Sequence, residues 1–384
     1  MLTPAAKAEL EKQQYRIVGS HSAVKTCGWT KNMIRGTGGC YKLKFYGIMS
    51  NQCMQMTTSI SCANRCTFCW RGYKAPVAKE WAWEVDDPAF ILEKSLEAHH
   101  KLLVGFGGSE KANKRAYVAS KEVKHVALSL TGEPITYPRM NELLDKFHAQ
   151  GISTFIVTNA QYPEAVRKLK PITQLYLSID APTKELLKEV DKPLFSDYWE
   201  RMNECLELLA LKKQRTCTRL TMIKGINDVL PEKYAELIHK GNPDFIEVKA
   251  YMYVGESRER LKEENMPLHE EVVEFTKVLG NYLPEYDIVS EHIPSRVVMM
   301  AKKKFKREDG WYTWIDFPTF QELAISGKEF TSDDYLAKTP QVGLSGKGTK
   351  ERMGKLKANR EIQQKSVLVD EKTDELMFYE KEAV

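Results

Sequence analysis

Apolar and polar positions along this chain switch repeatedly between two periods. Short runs rich in β-branched or apolar residues, at 55–60, 125–130, 154–157, 174–179, 216–223 and 245–248, read as strands. Between them lie stretches of helical length and spacing at 88–103, 139–149, 162–169, 198–211 and 231–239. Six repeats of strand then helix predict an α/β fold with a parallel sheet and right-handed crossovers. The period alone leaves open whether that sheet is flat, closed, or a partial barrel. After Tyr253 the pattern changes to a polar stretch, a helix at 269–282, and strands at 287–290 and 296–300. The segment 338–365 is rich in Lys, Arg, Gly and Gln and reads as a mobile basic tail or a short exposed helix.

A chain of 384 residues can bury the core of one large domain or two modest ones. At 42% hydrophobic and 28% charged residues, wholesale disorder is excluded. No run of about eighteen apolar residues is present, so no membrane span is expected. The opening MLTPAAKAELEKQQYRIVG lacks the pattern of a secretory signal, which predicts a cytoplasmic protein. Disulfides are uncommon in that reducing compartment. Yet six of the eight cysteines fall between Cys27 and Cys69, which points to metal ligation. The net charge of +5 is modest, but 302–307 places five cations in six positions, and Lys111, Lys114 and Arg115 follow a glycine-rich stretch. Such groups are usually solvated surface, and they also suit a phosphate backbone.

Cys62, Cys66 and Cys69 form Cys-x3-Cys-x2-Cys just after the first strand of the repeat. Four thiolates would satisfy a four-iron cluster, so three leave one iron open to a reactant. Zinc takes four ligands, commonly as two short pairs, and no second short pair exists. This loop, with Phe68 before its last cysteine, resembles that of the radical S-adenosylmethionine (SAM) superfamily. The resemblance implies a [4Fe-4S] cluster whose open iron chelates SAM, and reductive cleavage to methionine and a 5′-deoxyadenosyl radical. Gly132 and Glu133, within Thr131-Gly132-Glu133-Pro134, are similar to the motif that approaches the SAM amino group. Asn159, Ser178 and Asp180 match polar positions that contact the cofactor, and Thr221-Met222-Ile223-Lys224-Gly225 resembles the adenine-side motif. Each alone could be a turn residue. In order, at the carboxyl ends of successive strands, they predict a partial (β/α)6 radical-SAM barrel.

Cys27, Cys40 and Cys53 are separated by twelve residues each time. They would hold a second [4Fe-4S] cluster, again with one iron open; the alternative is buried free thiols. Gly28, Gly36, Gly38 and Gly39 make the segment loop-like, with little core for thiols to fill. Lys42 and Lys44 follow Cys40, and a lysine can form a Schiff base with a carbonyl substrate. In an extended stretch residues 42 and 44 would share one face. For an arbitrary lysine the plain reading is solvent exposure.

The two cysteine sets, with Trp70-Arg71 after the second and Ser290-Glu291-His292-Ile293-Pro294-Ser295-Arg296 near the end, resemble archaeal-type 4-demethylwyosine synthase over about 15–316. That likeness implies a carbon–carbon lyase of the wybutosine pathway. It would condense pyruvate with 1-methylguanosine at position 37 of tRNA(Phe). The radical takes hydrogen from the N-methyl group, the carbon radical adds to the pyruvate carbonyl carbon, the carboxylate is lost, and a third ring closes. Lys42 matches the lysine proposed to bind pyruvate as an imine; chelation of pyruvate by the second cluster is the rival account, and the two are compatible. The base would have to turn into the barrel mouth, where Trp70 and Tyr73 could stack on it or simply pack in the core. Nothing here resembles the flavodoxin-like region of eukaryotic relatives, so a separate electron donor is expected. The expected organisation is an N-terminal cluster-binding segment at 1–54, the barrel at 55–253, a tRNA-contacting C-terminal extension at 254–337 and a basic tail at 338–384. Two other readings stand beside it: a radical-SAM maturase or activating enzyme acting on a protein, and a metal-stabilised RNA-binding protein without catalysis.

Overall fold

The computed structural model describes residues 2–72 and 75–346. In chain order its elements are α1 (Pro4–Lys12), β1 (Arg16–Val18), β2 (Ser22–Val24), α2 (Gly28–Ile34), α3 (Tyr41–Tyr46), β3 (Cys53–Thr57), α4 (Pro88–Leu103), α5 (Lys114–Ala119) and β4 (His125–Leu128). There follow α6 (Met140–Ala149), β5 (Ser153–Thr158), α7 (Pro163–Lys168), β6 (Gln174–Ser178), α8 (Lys184–Asp191), α9 (Tyr198–Ala210), β7 (Arg215–Met222), α10 (Pro231–Gly241) and β8 (Phe245–Ala250). The last large elements are α11 (His269–Gly280), β9 (Tyr286–His292), β10 (Val297–Lys302) and α12 (Phe317–Ser326).

Ten strands form one sheet in the order β1-β2-β3-β4-β5-β6-β7-β8-β10-β9. Strands β3 to β8 are parallel neighbours in chain order, which is the six-fold repeat the sequence predicts. Strands β1 and β9 are the two edges, so the barrel is partial and open. Period-2 alternation assigns the faces. On β7 and β8, Leu220, Met222, Ile246 and Val248 join the core beneath the helices, while Arg219, Thr221, Glu247 and Lys249 face the concave side. The lower concave side is filled by Phe155, Tyr176, Cys217, Phe245 and Phe305, with Tyr41, Phe45 and Tyr46 of α3 packed on them.

The glycine-rich segment between Cys27 and Cys53 is not a loop. Cys27 and Cys40 are the N-caps of α2 and α3, and just before them β2 pairs antiparallel with β3 and β1 antiparallel with β2. Helix α3 forms because Tyr41, Phe45 and Tyr46 recur at helical spacing and all bury. The later chain also holds it: Thr313 Oγ1 donates to Phe45 O at 2.7 Å, and Trp314 Nε1 donates to Lys44 O at 3.0 Å. Gly47 ends the helix at φ +79, where the Trp314 ring leaves a Cβ only 3.0 Å. Among the described residues no helix is long and apolar enough to cross a membrane.

Candidate active site

The loop carrying Cys62, Cys66 and Cys69 leaves the carboxyl end of β3 and is pinned to the end of α8. Arg65 N donates to Asp191 O at 2.9 Å and Thr67 N to Val190 O at 2.7 Å. Asn64 Nδ2 reaches the Asp191 carboxylate at 3.1 Å. On the other side Arg260 donates to the backbone oxygens of Thr67, Cys69 and Arg71. Arg71 in turn donates to Ile60 O at 2.8 Å. Asn64, Cys66, Cys69, Arg71, Gly72 and Arg260 thus line one open recess. Among the described residues no three His, Cys, Asp or Glu side chains converge as a single ion would need. A four-iron cluster is a cage, and its ligands stand around it rather than around a point. Burial pushes the Cys62 thiol up to about 11, with Arg71 opposing, and Cys66 well above its ordinary value, with Asp191 adding to the rise. Loading a cluster would therefore release protons.

The sequence-predicted cofactor residues lie together at this carboxyl end. Gly132 has φ +67, and a Cβ there would meet Ser59 O at 1.9 Å, so only glycine lets this turn lie against the strand end. The turn aims Glu133 inward. Asn159 N donates to Glu133 Oε2 at 2.9 Å and Asn159 Nδ2 to Cys62 Sγ at 3.4 Å, which ties the carboxylate to the loop. Glu133 Oε1 is buried without a partner. Burial raises the Glu133 carboxyl to about 7 against the hydrogen bond from Asn159. Asp180 also keeps one buried oxygen unpartnered, and burial lifts its carboxyl to about 6 against a hydrogen bond from Thr221 and the charge of Arg219. Ser178 sits one inward position below it, opposite Arg219. Two unpartnered acceptor oxygens beside the three-thiol loop fit a cationic amino group and a hydroxyl-bearing ligand such as SAM.

Cys27, Cys40 and Cys53 come together on the concave side, where β2, β3 and α3 meet. Burial pushes Cys40 and Cys53 up to about 12; the Cys27 thiol adds to both rises, and Lys42 opposes both. Lys42, only 9% exposed, sets its ammonium 4.6 Å from the centre of the Tyr176 ring and 5.9 Å from that of Phe155. Because the segment is helical, Lys44 lies about 200° around the axis from Lys42 and does not share its face. Burial lowers the Lys44 ammonium, opposed by Glu291.

Sequence reasoning missed the upper concave wall of β7 and β8. Arg219 and Lys249 project there, and Glu247 accepts from Tyr41 Oη at 3.0 Å and Tyr46 Oη at 2.9 Å. Burial, with Arg219 next, lowers the Lys249 ammonium to about 8. Charged residues alternating with buried aliphatics, as in Glu247-Val248-Lys249, were the available signal.

The cations of 302–307 are largely engaged within the fold. Lys302 donates to Asn242 O, Lys303 to Pro284 O, and Lys304 pairs with Asp244 at 2.9 Å. Lys111, Lys114 and Arg115 are exposed beside α2, where Asn113 N donates to Ile34 O. Trp70 stacks on Tyr15 at 5.9 Å with the Lys25 ammonium 4.9 Å from its ring, so it packs rather than stands free. The start of the expected basic tail, 338–346, is neither mobile nor helical but docks on the fold. Thr339 is buried, Gly343 N donates to Val289 O at 2.7 Å and Ser345 donates to Glu291. Tyr73 and the rest of that tail from 347 onward lie outside the described residues.

Residues 56–238 match the family model "Radical SAM superfamily", and residues 240–302 match "Wyosine base formation". The S-adenosyl-L-methionine-dependent tRNA 4-demethylwyosine synthase TYW1 of Mus musculus is 49% identical over 353 residues, covering 90% of this chain and 49% of that protein. The synthase of Schizosaccharomyces pombe is 47% identical over 355 residues, covering 90% and 52%. The chain spans about half the length of the curated relatives it matches. A solved structure of TYW1 with a lysine-pyruvate adduct bound is 36% identical with a TM-score of 0.72, covering 81% of this chain and 99% of that one. An archaeal TYW1 crystal structure is 31% identical at a TM-score of 0.66, covering 82% and 100%. The radical-SAM match carries SAM and an iron–sulfur cluster with it. By this similarity the chain belongs to the TYW1 family of radical-SAM tRNA 4-demethylwyosine synthases.

Proposed function

We propose that this chain condenses pyruvate with 1-methylguanosine-37 of tRNA(Phe) to form 4-demethylwyosine, using SAM and two [4Fe-4S] clusters. The observation that carries the reading is Lys42, a buried amine beside the Cys27, Cys40 and Cys53 set in the same concave chamber as the Cys62 loop. A relative whose structure holds a lysine-pyruvate adduct supports it. The match of 240–302 to wyosine base formation favours a tRNA substrate over a protein one.

Cys62, Cys66 and Cys69 would hold the cluster, which with SAM bound would supply the radical chemistry directed at the N-methyl group. The chain's own residues do the rest. Glu133 Oε1 would accept a hydrogen bond from the SAM amino group, whose charge favours the ionised carboxylate. Asn159, which donates to both Glu133 and Cys62, sets the distance between that carboxylate and the loop. Lys42 holds pyruvate: its neutral amine attacks the carbonyl carbon, a C=N bond replaces C=O, and the oxygen leaves as water with both amine protons. Fixation of this kind gives a short-lived radical an oriented partner. The aromatic floor of Phe155, Tyr176 and Phe245 keeps water from below.

The test is anaerobic reconstitution followed by turnover with 1-methylguanosine-37 tRNA and labelled pyruvate, with mass spectrometry of the digested nucleosides. A tricyclic nucleoside carrying pyruvate carbon is expected. SAM cleavage without that product under every reductant would refute the proposal.

A further inference from the structure

We infer that Arg219 and Lys249 hold the carboxylate of the small 2-oxo acid whose carbonyl carbon Lys42 carries. The inference rests on the function proposed above and adds how the acid's charge is met. Arg219 on β7 and Lys249 on β8 both face the concave side, because Leu220 and Val248 beside them belong to the outer core. By register Arg219 stands opposite Glu247, and Lys249 stands opposite Thr221, one inward position further along. Two cations thus occupy adjacent strands at neighbouring levels.

Their one carboxylate neighbour on this wall is already engaged. Glu247 accepts one tyrosine hydroxyl on each oxygen, from Tyr41 and Tyr46. Lys249 Nζ has a backbone oxygen, that of Ala250, at 3.4 Å. Arg219 also feels the Asp180 carboxylate at the end of β6, so Arg219, Lys249 and the nearby Lys42 make three cations against two carboxylates. Excess buried positive charge is costly unless an anion meets it.

The geometry also fixes which anion fits. Lys42 sets its ammonium over Tyr176, and Tyr176 pairs with Cys217, one inward position below Arg219. In a 2-oxo acid the carboxylate is bonded directly to the carbon that forms the imine. An acid joined to Lys42 must therefore leave its carboxylate close to that amine, inside this wall. A planar guanidinium with an ammonium alongside suits two carboxylate oxygens.

The test uses the anaerobically reconstituted full chain and cyanoborohydride trapping on Lys42, read by peptide mapping over a range of concentrations. Pyruvate is compared with methyl pyruvate, which keeps the 2-oxo carbon and lacks the charge. Arg219→Gln and Lys249→Met should each raise the half-saturating pyruvate concentration by roughly tenfold to a hundredfold. Methyl pyruvate should be trapped as in the parent, and Arg219→Lys should recover part of the loss. Unchanged pyruvate half-saturation in both variants would overturn the inference. Loss of iron in either variant would assign the two cations to the second cluster, which also overturns it. Should the parent form no adduct on Lys42, the imine reading fails by itself. Equilibrium dialysis of labelled pyruvate then decides this one: weaker retention by both variants supports it, and equal retention overturns it.

Discussion

Glu133 and Glu291 are both buried carboxylates, and their surroundings push them in opposite directions. Glu133 has one oxygen without a partner, so burial prevails and holds it near 7. Substituting Glu133→Gln should weaken SAM binding by about tenfold or more while leaving iron content unchanged, as equilibrium dialysis would show. Unchanged binding would remove Glu133 from the SAM site. Burial would raise Glu291 too, but hydrogen bonds from His269 and Ser345 outweigh it and hold the carboxyl near 2. His269 Nε2 lies 2.8 Å from Glu291 Oε2, and Ser345 N and Oγ both donate to Oε1 at 2.6 Å. A folded value below the ordinary 4.5 means that protonation favours unfolding. The contribution, on the order of 3 kcal/mol, is whole above about pH 4.5 and drains away as pH falls toward 2. Urea midpoints of Glu291→Gln should therefore fall less steeply than those of the parent between about pH 5 and 3. Parallel curves would show that the contact stores no such energy.

At the scale of elements, α3 decides which lysine faces the chamber. Its six residues would be a marginal helix alone, so its place depends on the Gly47 turn and on Trp314. An alanine at Gly47 must adopt positive φ, at roughly 1–2 kcal/mol, and must also displace the indole. Gly47→Ala should lower the thermal midpoint and reduce pyruvate trapping on Lys42 without moving label to Lys44. Label on Lys44 in the parent protein would mean the helix does not set the choice. The strand–helix repeat itself was legible in the sequence, because β-branched runs and amphipathic spacing are local properties. Helices α2 and α3 were not, because the glycines among them suggest a loop, and the apolar partners of α3 lie on β6, β8 and the 313–315 segment.

For the whole molecule, the two thiol sets are predicted to act separately. Replacing Cys62, Cys66 and Cys69 with Ala should cut bound iron from about eight to about four and abolish SAM cleavage. The same change at Cys27, Cys40 and Cys53 should cut iron equally yet spare SAM cleavage. Retained cleavage in the first triple variant would overturn the assignment of the loop. Lys111 and Lys114 lie on the flank where α5 meets α2, so neutralising them should flatten the salt dependence of tRNA binding by about one unit per lost phosphate contact. Lys304→Met should instead act on stability, since it strands the half-paired Asp244 carboxylate. An equal loss of slope from Lys304→Met would return the 302–307 run to the RNA surface.

The sequence alone determined the order of the six parallel strands, the two cysteine sets, and the polar residues that end successive strands. Each follows from local period or spacing, and a parallel repeat leaves few topologies to choose among. Tertiary structure decided what depends on residues distant in the chain. It placed Lys42 over Tyr176, more than a hundred residues away, and turned Lys44 toward Glu291. It tied the cations of 302–307 to Asn242, Pro284 and Asp244, where their run had suggested a free strip. It also set Arg219 and Lys249 on one wall around a carboxylate already engaged by two tyrosines. Register and packing bring such groups together, and neither is written in the spacing of any one segment.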